Sequence, residues 1–176
     1  WDSTITMNEN DLLDVVNETD EVIGQDYKNN KFTKGFISRN AVVFIKDKEG
    51  RYIIVKRSPL KRTDPNKLDL SVCGNVNAGE DYKQAAIREM KEEIGIECDV
   101  KFLKKITNEI PHKDTILKFF TGIFLGEHHG EIVTNEEVKE HQRWTLEELK
   151  QEMEQNPEQF TFGFRKDFEE VKDLLQ

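Results

Sequence analysis

The sequence has few of the features that mark secreted or membrane proteins. It contains 2 cysteines and 4 prolines among 176 residues, and two cysteines are too few for the disulfide framework of a small secreted domain. No apolar run approaches the roughly 20 residues that a membrane-spanning helix needs, and no signal-peptide pattern opens the chain. We therefore expect a cytoplasmic protein without a membrane partner.

Basic residues are also in deficit, since 26 Lys and Arg stand against 35 Asp and Glu, a net charge of −9. A protein that binds extended nucleic acid through a broad basic surface is therefore not expected. An anionic small substrate fits if local Lys or Arg side chains, or a bridging cation, offset the acidic background. The 11 Phe, 3 Tyr and 2 Trp supply the large side chains of a folded core, and the length suits one domain.

Six residues precede Met7, after which an ordinary acidic N-terminus begins. We expect Met7 to be the native start and residues 1–6 to be an expression remnant. The remaining segment, 7–176, is predicted to form a single domain.

Extended and helical patterns interleave along that segment. β-branched or apolar runs predict strands near 12–16, 22–24, 41–45, 52–55, 68–73, 100–107, 115–125 and 138–144. The first two runs and the next two are each expected to form a hairpin, residues 28–34 a loop, and His128–His129 a solvated hairpin turn. Helices are predicted over 81–94, after Thr145 and after Pro157. These patterns indicate an α/β domain with a mixed sheet, because several connections are too short for crossovers.

Four glutamates cluster at the first predicted helix. At 100° per residue, Glu92, Glu89 and Glu93 share an arc of about 100°, and Glu80 lies just before the helix. Like charges this close repel one another, so the cluster is either a solvated acidic face or a site for a hard divalent cation such as Mg²⁺. Arg88 lies beside the cluster, where it can pair with the carboxylates.

The motif around this cluster resembles a known family. Gly74, five residues, Glu80, seven residues and then Arg88–Ile96 (REMKEEIGI) match the Nudix box at every defined position. The Nudix hydrolase superfamily has an α/β/α sandwich with a mixed β-sheet and hydrolyses a diphosphate linked to another group with Mg²⁺ or Mn²⁺. The resemblance implies a metal site formed by five residues: Gly74 (through its carbonyl), Glu80, Glu89, Glu92 and Glu93.

The same resemblance implies that a metal-activated water is the nucleophile and that Arg88 orients the glutamates. Arg88, Glu92 and Glu93 are therefore the predicted catalytic residues. The general base stays open at this point, because either a box glutamate or a glutamate of a later loop serves in different Nudix enzymes. Glu92 and Glu93 are the candidates within the box, and Glu136 and Glu137 are the candidates in the loop.

Beyond the box, residues 14–24 and 56–80 resemble the branch of the superfamily related to isopentenyl-diphosphate isomerase. In those isomerases the matching Arg and Lys contact the substrate diphosphate, so Arg57 and Lys61 are the predicted substrate-binding residues. Cys73 matches the catalytic cysteine of the isomerases.

Three departures nevertheless favour hydrolysis. Isomerases bind metal through histidines, one of them directly after Cys-Gly, but here Asn75 occupies that position and no histidine precedes His112. The strand that supplies the isomerase's catalytic glutamate corresponds to residues 115–125, which contain no acid. Isomerases also have a degenerate box, whereas this one is intact. Cys73 is therefore expected to be a small buried residue at a strand end.

The expected function is that of a Mg²⁺-dependent pyrophosphohydrolase, acting on a phosphoanhydride bond of a nucleoside diphosphate-linked substrate (an NDP, an NTP or a conjugate). The alternatives are an isomerase-like enzyme and a non-catalytic module that senses nucleotides. The intact box argues against a sensor, because sensors usually lose box glutamates. Homodimers are common among the relatives, but no sequence feature determines the oligomeric state here.

Overall fold

The computed structural model describes residues 11–60, 64–132 and 138–176, with the side chains of residues 138 and 139 outside the description. Lys61, Glu136 and Glu137 therefore lie outside the described residues. So do residues 1–10, which include the expected remnant and Met7.

Strands and helices alternate along the described residues. The strands are β1 (Leu12–Val16), β2 (Val22–Tyr27), β3 (Ser38–Lys46), β4 (Tyr52–Arg57), β5 (Leu68–Leu70), β6 (Val72–Asn75), β7 (Val100–His112), β8 (Thr115–Glu127) and β9 (Val138–Trp144). The helices are α1 (Lys31–Lys34), α2 (Tyr82–Ile94), α3 (Leu146–Gln155) and α4 (Phe162–Val171). Among the described residues, none of these helices combines the length and the apolar character that crossing a bilayer requires.

Seven of the strands form one mixed sheet in the order β5-β4-β3-β8-β7, with β6 paired to β3 and β9 paired to β4. β3 and β8 are parallel, from Ser38 opposite Phe119 to Lys46 opposite Glu127. The other pairs of this sheet are antiparallel. The predicted α/β fold with a mixed sheet is confirmed.

Side chains of the sheet point alternately into two cores. Ala41, Val43 and Ile45 of β3 pack with α2 on one face. Val42 and Phe44 of the same strand pack with α3 and α4 on the other face. The sheet is thereby sandwiched between α2 and the C-terminal helices, which is the α/β/α arrangement that the family resemblance implies.

Two of the strand predictions need correction. The predicted hairpin of 41–45 and 52–55 is present at its turn, where Lys46 pairs with Tyr52, but the two strands do not pair over the predicted runs. β4 instead lies between β5 and β9. The predicted single extended segment 68–73 is two strands, which bend apart near Ser71 to pair with β4 and β3 respectively.

Two of the loop predictions also need correction. Residues 28–34 are a 3₁₀ turn followed by α1 rather than an irregular loop. His128–His129 do not form a hairpin turn, because β8 continues to β9 and β9 pairs with β4. The tight hairpin turn lies between β7 and β8, where Lys113 adopts φ +53°. The predicted hairpin of β1 and β2 is confirmed.

A single carboxylate connects four of these elements. Asp20, in the turn between β1 and β2, accepts hydrogen bonds from Arg39 Nε of β3 at 2.6 Å and from Tyr82 OH of α2 at 2.8 Å. It also accepts one from Lys105 Nζ of β7 at 2.9 Å. Burial opposes ionisation, but the bonds from Arg39, Lys105 and Tyr82 outweigh it and lower the pKa of Asp20. The Tyr82 ring lies against Gly122 of β8, where a Cβ would be 2.7 Å from Cδ1.

The first prediction concerns this carboxylate. Asp20→Asn should lower the free energy of unfolding by about 1–3 kcal/mol at neutral pH, because it leaves the partly buried Arg39 guanidinium without its counter-charge. Since the folded-state pKa lies below the ordinary value of 3.8, the contribution is complete above that value and is lost as the pH falls through the folded-state pKa. Denaturant unfolding across pH 2–7 measures both effects.

Asp99→Asn is the matched control, because Asp99 forms an exposed ion pair with Lys83 at 3.1 Å. This control should change the free energy of unfolding by less than about 1 kcal/mol. Equal effects of the two substitutions at pH 7 would contradict the role assigned to Asp20.

Candidate metal-binding site

The helix that carries Glu89, Glu92 and Glu93 is fixed at both ends. Asp81 caps α2 by accepting from the Gln84 N–H at 2.7 Å, while Gln84 Oε1 accepts from the Asp81 N–H at 2.9 Å. At the other end Gly95 adopts φ +66°, and its N–H donates to the Lys91 carbonyl. This left-handed conformation favours glycine because a Cβ would be strained there. The predicted helix and its C-terminal glycine are present.

Arg88 lies at the centre of the glutamates. Its Nε and Nη2 donate to Glu80 at 2.7 and 2.9 Å, and its Nη1 donates to Glu89 at 2.9 Å and to Glu92 at 3.2 Å. Nη2 also donates to the Asn75 carbonyl at 3.0 Å, which joins α2 to β6. The guanidinium thereby neutralises part of the repulsion among the carboxylates, and Glu80 first, then Glu89, raises its pKa.

Glu89 lies in a space that only a glycine leaves open. A Cβ at Gly74 would be 2.2 Å from Glu89 Cδ and 2.4 Å from Oε1. The Glu89 side chain is 11% exposed, and burial, together with the charge of Glu92, raises its pKa despite the bond from Arg88. The tight contact explains structurally why the motif has glycine at position 74.

Glu93 of α2 points to Cys73, the residue that precedes Gly74 on β6. Its Oε2 accepts from the Cys73 N–H at 3.1 Å. Burial raises the pKa of Glu93 well above its usual value, and the charge of Glu89 adds to this effect. Glu92, by contrast, is about half exposed. The four carboxylates therefore differ in environment although they lie close in sequence.

The donor set suits a hard divalent cation, because four carboxylates and a backbone carbonyl are the oxygen ligands that Mg²⁺ and Mn²⁺ prefer. In the part of the chain that the structure describes, no three His, Cys, Asp or Glu side chains converge as a ready-made metal site. Arg88 engages three of the glutamates, and Glu93 is turned to β6. Metal binding would therefore require the glutamate side chains to exchange Arg88 for the cation.

Of the predicted substrate-binding and loop residues, the structure describes one, Arg57. Arg57 is buried at the end of β4, with Nη1 3.4 Å from Asp69 Oδ2. Lys61, Glu136 and Glu137 lie outside the described residues, so their predicted roles stay predictions.

Two lysines that the sequence analysis left in a loop lie near the site. Lys31 is 2% exposed, and its Nζ donates to Asn75 Oδ1 at 3.0 Å. Burial, with the nearby charge of Lys28, lowers the pKa of Lys31 to about 7. The Lys28 charge also acts on Glu89.

Comparisons with known proteins show what the chain as a whole is similar to. The NUDIX domain model matches residues 37–164. A Nudix hydrolase of Deinococcus radiodurans is 36% identical over 107 residues, which are 61% of this chain and 63% of that relative. The match thus spans less than two thirds of that relative's length.

Two further similarities cover more of the chain. Isopentenyl-diphosphate Delta-isomerase 2 of Photorhabdus laumondii is 27% identical over 161 residues, 89% of each chain. The crystal structure of DR0079 from Deinococcus radiodurans superposes with a TM-score of 0.70 and 26% identity. That superposition covers 93% of this chain and 98% of the solved one.

The second prediction tests the contact between β6 and α2. Gly74→Ala should weaken Mn²⁺ binding at least about tenfold, because the added Cβ displaces Glu89 or β6 and small misplacements at such sites are costly. It should also lower the free energy of unfolding by about 1–3 kcal/mol. Calorimetric Mn²⁺ titration and denaturant unfolding measure the two effects. Gly24→Ala is the control, since a Cβ there meets nothing within 4 Å. Unchanged Mn²⁺ affinity in Gly74→Ala would refute the assignment.

Proposed function

The chain belongs to the Nudix family, and from that premise we propose that it is a divalent-metal-dependent pyrophosphohydrolase that cleaves a nucleoside diphosphate-linked substrate. The observation that carries the proposal is the placement of three box glutamates, Glu80, Glu89 and Glu92, around Arg88, with Glu93 close by on the Cys73 N–H. Such a concentration of carboxylates, with Glu89 buried, is typical of a site for a hard divalent cation.

Glu89, Glu92 and Glu93, with Glu80 and the Gly74 carbonyl, would hold Mg²⁺ or Mn²⁺. When bound, the cation would neutralise charge on the phosphate groups and lower the pKa of an attacking water. The chain's own contribution begins with Arg88, which holds the carboxylates in place through Glu80 and the Asn75 carbonyl. This pairing leaves the glutamates pre-positioned on one side of α2.

The general base that we favour within the box is Glu93. Its Oε2 is occupied by the Cys73 N–H, so Oε1 would accept the proton of the attacking water. Glu136 and Glu137 are the alternatives.

Cationic side chains would contact the substrate diphosphate. Arg57 and Lys61 are proposed for this role from their match to the isomerases. Lys28 and Lys31 add positive charge beside Glu89 and Asn75, where it offsets the acidic background of the protein.

An isomerase-like activity is the second candidate function, and the isomerase relative gives it support. Two observations weigh against it. Burial raises the pKa of the Cys73 thiol to about 12, so it is not an activated thiolate. Thr121 and its neighbours on β8 provide no acidic side chain between residues 115 and 125. A cytoplasmic location and a homodimer also belong to the proposal.

The third prediction tests hydrolysis. Release of phosphate and diphosphate from a panel of nucleoside diphosphates, triphosphates and conjugates should require Mg²⁺ and stop with EDTA. Glu92→Gln should lower the rate at least about a hundredfold, because it removes a charged cation ligand.

Glu97→Gln is the matched control, because Glu97 is exposed and forms a surface ion pair with Lys91 at 2.8 Å. Its rate should stay within twofold of the wild type. Release that persists in EDTA, or that survives Glu92→Gln, would refute the metal site. Conversion of isopentenyl diphosphate without hydrolysis of any panel member would favour the isomerase.

A further inference from the structure

The hairpin of β1 and β2 precedes the NUDIX domain match, which begins at residue 37. It forms a two-stranded sheet separate from the seven-stranded one. A hairpin of two strands is marginally stable by itself in water, so its position depends on contacts with the rest of the protein. Several of these contacts are with residues 77–82, the segment that leads into α2 and contains Glu80.

The backbone of β1 runs along this segment. The Ala78 N–H donates to the Leu12 carbonyl at 2.8 Å. At its other end β1 is fixed to the residue before β3, because the Val16 N–H donates to the Ile37 carbonyl at 3.0 Å. β1 therefore ties the segment before α2 to the main sheet.

One side chain of β1 also holds this segment. Asp14 Oδ2 accepts a hydrogen bond from the Gly79 N–H at 3.2 Å. Gly79 adopts φ +83°, a conformation that favours glycine, so the chain turns sharply directly before Glu80. Asp14 is 6% exposed, and carboxylates are seldom buried to this extent without a specific partner. The Gly79 N–H is such a partner.

The residue after this turn connects it to the rest of the candidate metal site. Glu80 Oε1 accepts from the Asn77 N–H at 2.8 Å, and both Glu80 oxygens accept from Arg88. Arg88 in turn donates to Glu89 and Glu92. A shift of the turn would therefore move Glu80 and, through Arg88, the other two carboxylates.

The hairpin contacts the other side of Glu80 as well. Asp20, in the turn between β1 and β2, accepts from the Tyr82 OH at 2.8 Å, and Tyr82 is the first residue of α2. The hairpin thus binds the residue before Glu80 through Asp14 and the helix after it through Asp20. Glu80 lies between two points at which the hairpin holds the chain.

We propose that Asp14 is a positioning residue for the metal site, because its bond to the Gly79 N–H fixes the turn that places Glu80. This inference rests on the proposed function, since it takes Glu80 and its neighbours as cation ligands. Asp14 itself lies outside the ligand set and acts through Glu80. Groups that hold metal ligands in place determine the geometry that the cation meets, and their loss typically costs about 10–100-fold in affinity.

The test is a calorimetric Mn²⁺ titration of the full chain, with thermal unfolding in EDTA to show that each variant is folded. Asp14→Ala should weaken Mn²⁺ binding about tenfold, because it removes the acceptor of the Gly79 N–H. Asp14→Asn should stay within about twofold of the wild type, because it keeps an oxygen for that N–H. The Gln25 amide, whose Nε2 lies 3.5 Å from Asp14 Oδ1, can turn its own oxygen to the new amide group.

Asp14→Glu is a third variant, which keeps the charge but lengthens the side chain by one methylene. Its Mn²⁺ affinity should lie between those of Asp14→Ala and Asp14→Asn, because the oxygens are displaced from the Gly79 N–H. The comparison of Asp14→Glu with Asp14→Asn decides the question even where Asp14→Ala does not fold. Tighter Mn²⁺ binding by Asp14→Glu than by Asp14→Asn would show that charge matters instead of the bond, and would overturn the inference.

Asp26→Ala is the matched control, because Asp26 is a carboxylate of the same hairpin with other partners. Its Oδ2 pairs with Lys34 Nζ at 2.9 Å, and its Oδ1 accepts from Asn30 Nδ2 at 2.7 Å. Mn²⁺ affinity should stay within twofold of the wild type. A loss equal to that of Asp14→Ala would assign the effect to the hairpin in general and overturn the role of Asp14.

A double-variant cycle tests the route through Glu80. Glu80→Ala alone should weaken Mn²⁺ binding, and adding Asp14→Ala should weaken it by less than about twofold more, because the side chain that Asp14 positions is already absent. Losses that multiply in full would contradict this route and overturn the inference.

The failure of this inference differs from the failure of the proposed function. Unchanged Mn²⁺ affinity in Asp14→Ala would overturn the inference while leaving the metal site and hydrolysis intact. A wild type that binds no Mn²⁺ would refute the metal site and the inference together.

Discussion

The pairing of Arg88 with three glutamates is the interaction on which the site depends. Glu80, Glu89 and Glu92 would repel one another at this spacing. The guanidinium of Arg88 donates hydrogen bonds to all three carboxylates and offsets this repulsion. The same guanidinium donates to the Asn75 carbonyl. One side chain therefore both keeps the carboxylates together and fixes α2 against β6.

The short strand β6 also helps to form the site, because its residues contact groups on both faces of the sheet. Gly74 gives Glu89 the space it occupies, and the Cys73 N–H fixes Glu93. The Cys73 side chain points into the core on the α4 side. β6 therefore connects the carboxylates of the candidate metal site with the core beneath α4.

The sequence predicted the features that depend on residues close together in the chain. The period of Tyr82, Ala86 and Met90 indicated α2, and the motif spacing indicated which glutamates cluster, since both depend on residues within a few turns. The partners of β3 and β4 could not be predicted, because strand pairing is decided by packing between distant segments. The burial of the polar residues Asn40 and Asn108 was also missed, because they lie in strands whose partners were unknown.

The most direct measurement is the position of a bound cation, found by anomalous diffraction from a crystal of the protein with Mn²⁺. The account predicts one or more Mn²⁺ ions ligated by carboxylate oxygens of Glu89, Glu92 and Glu93, at about 2.0–2.2 Å as for small divalent cations. Saturating Mn²⁺ with no anomalous peak at these glutamates, or a peak held by other residues, would contradict the account.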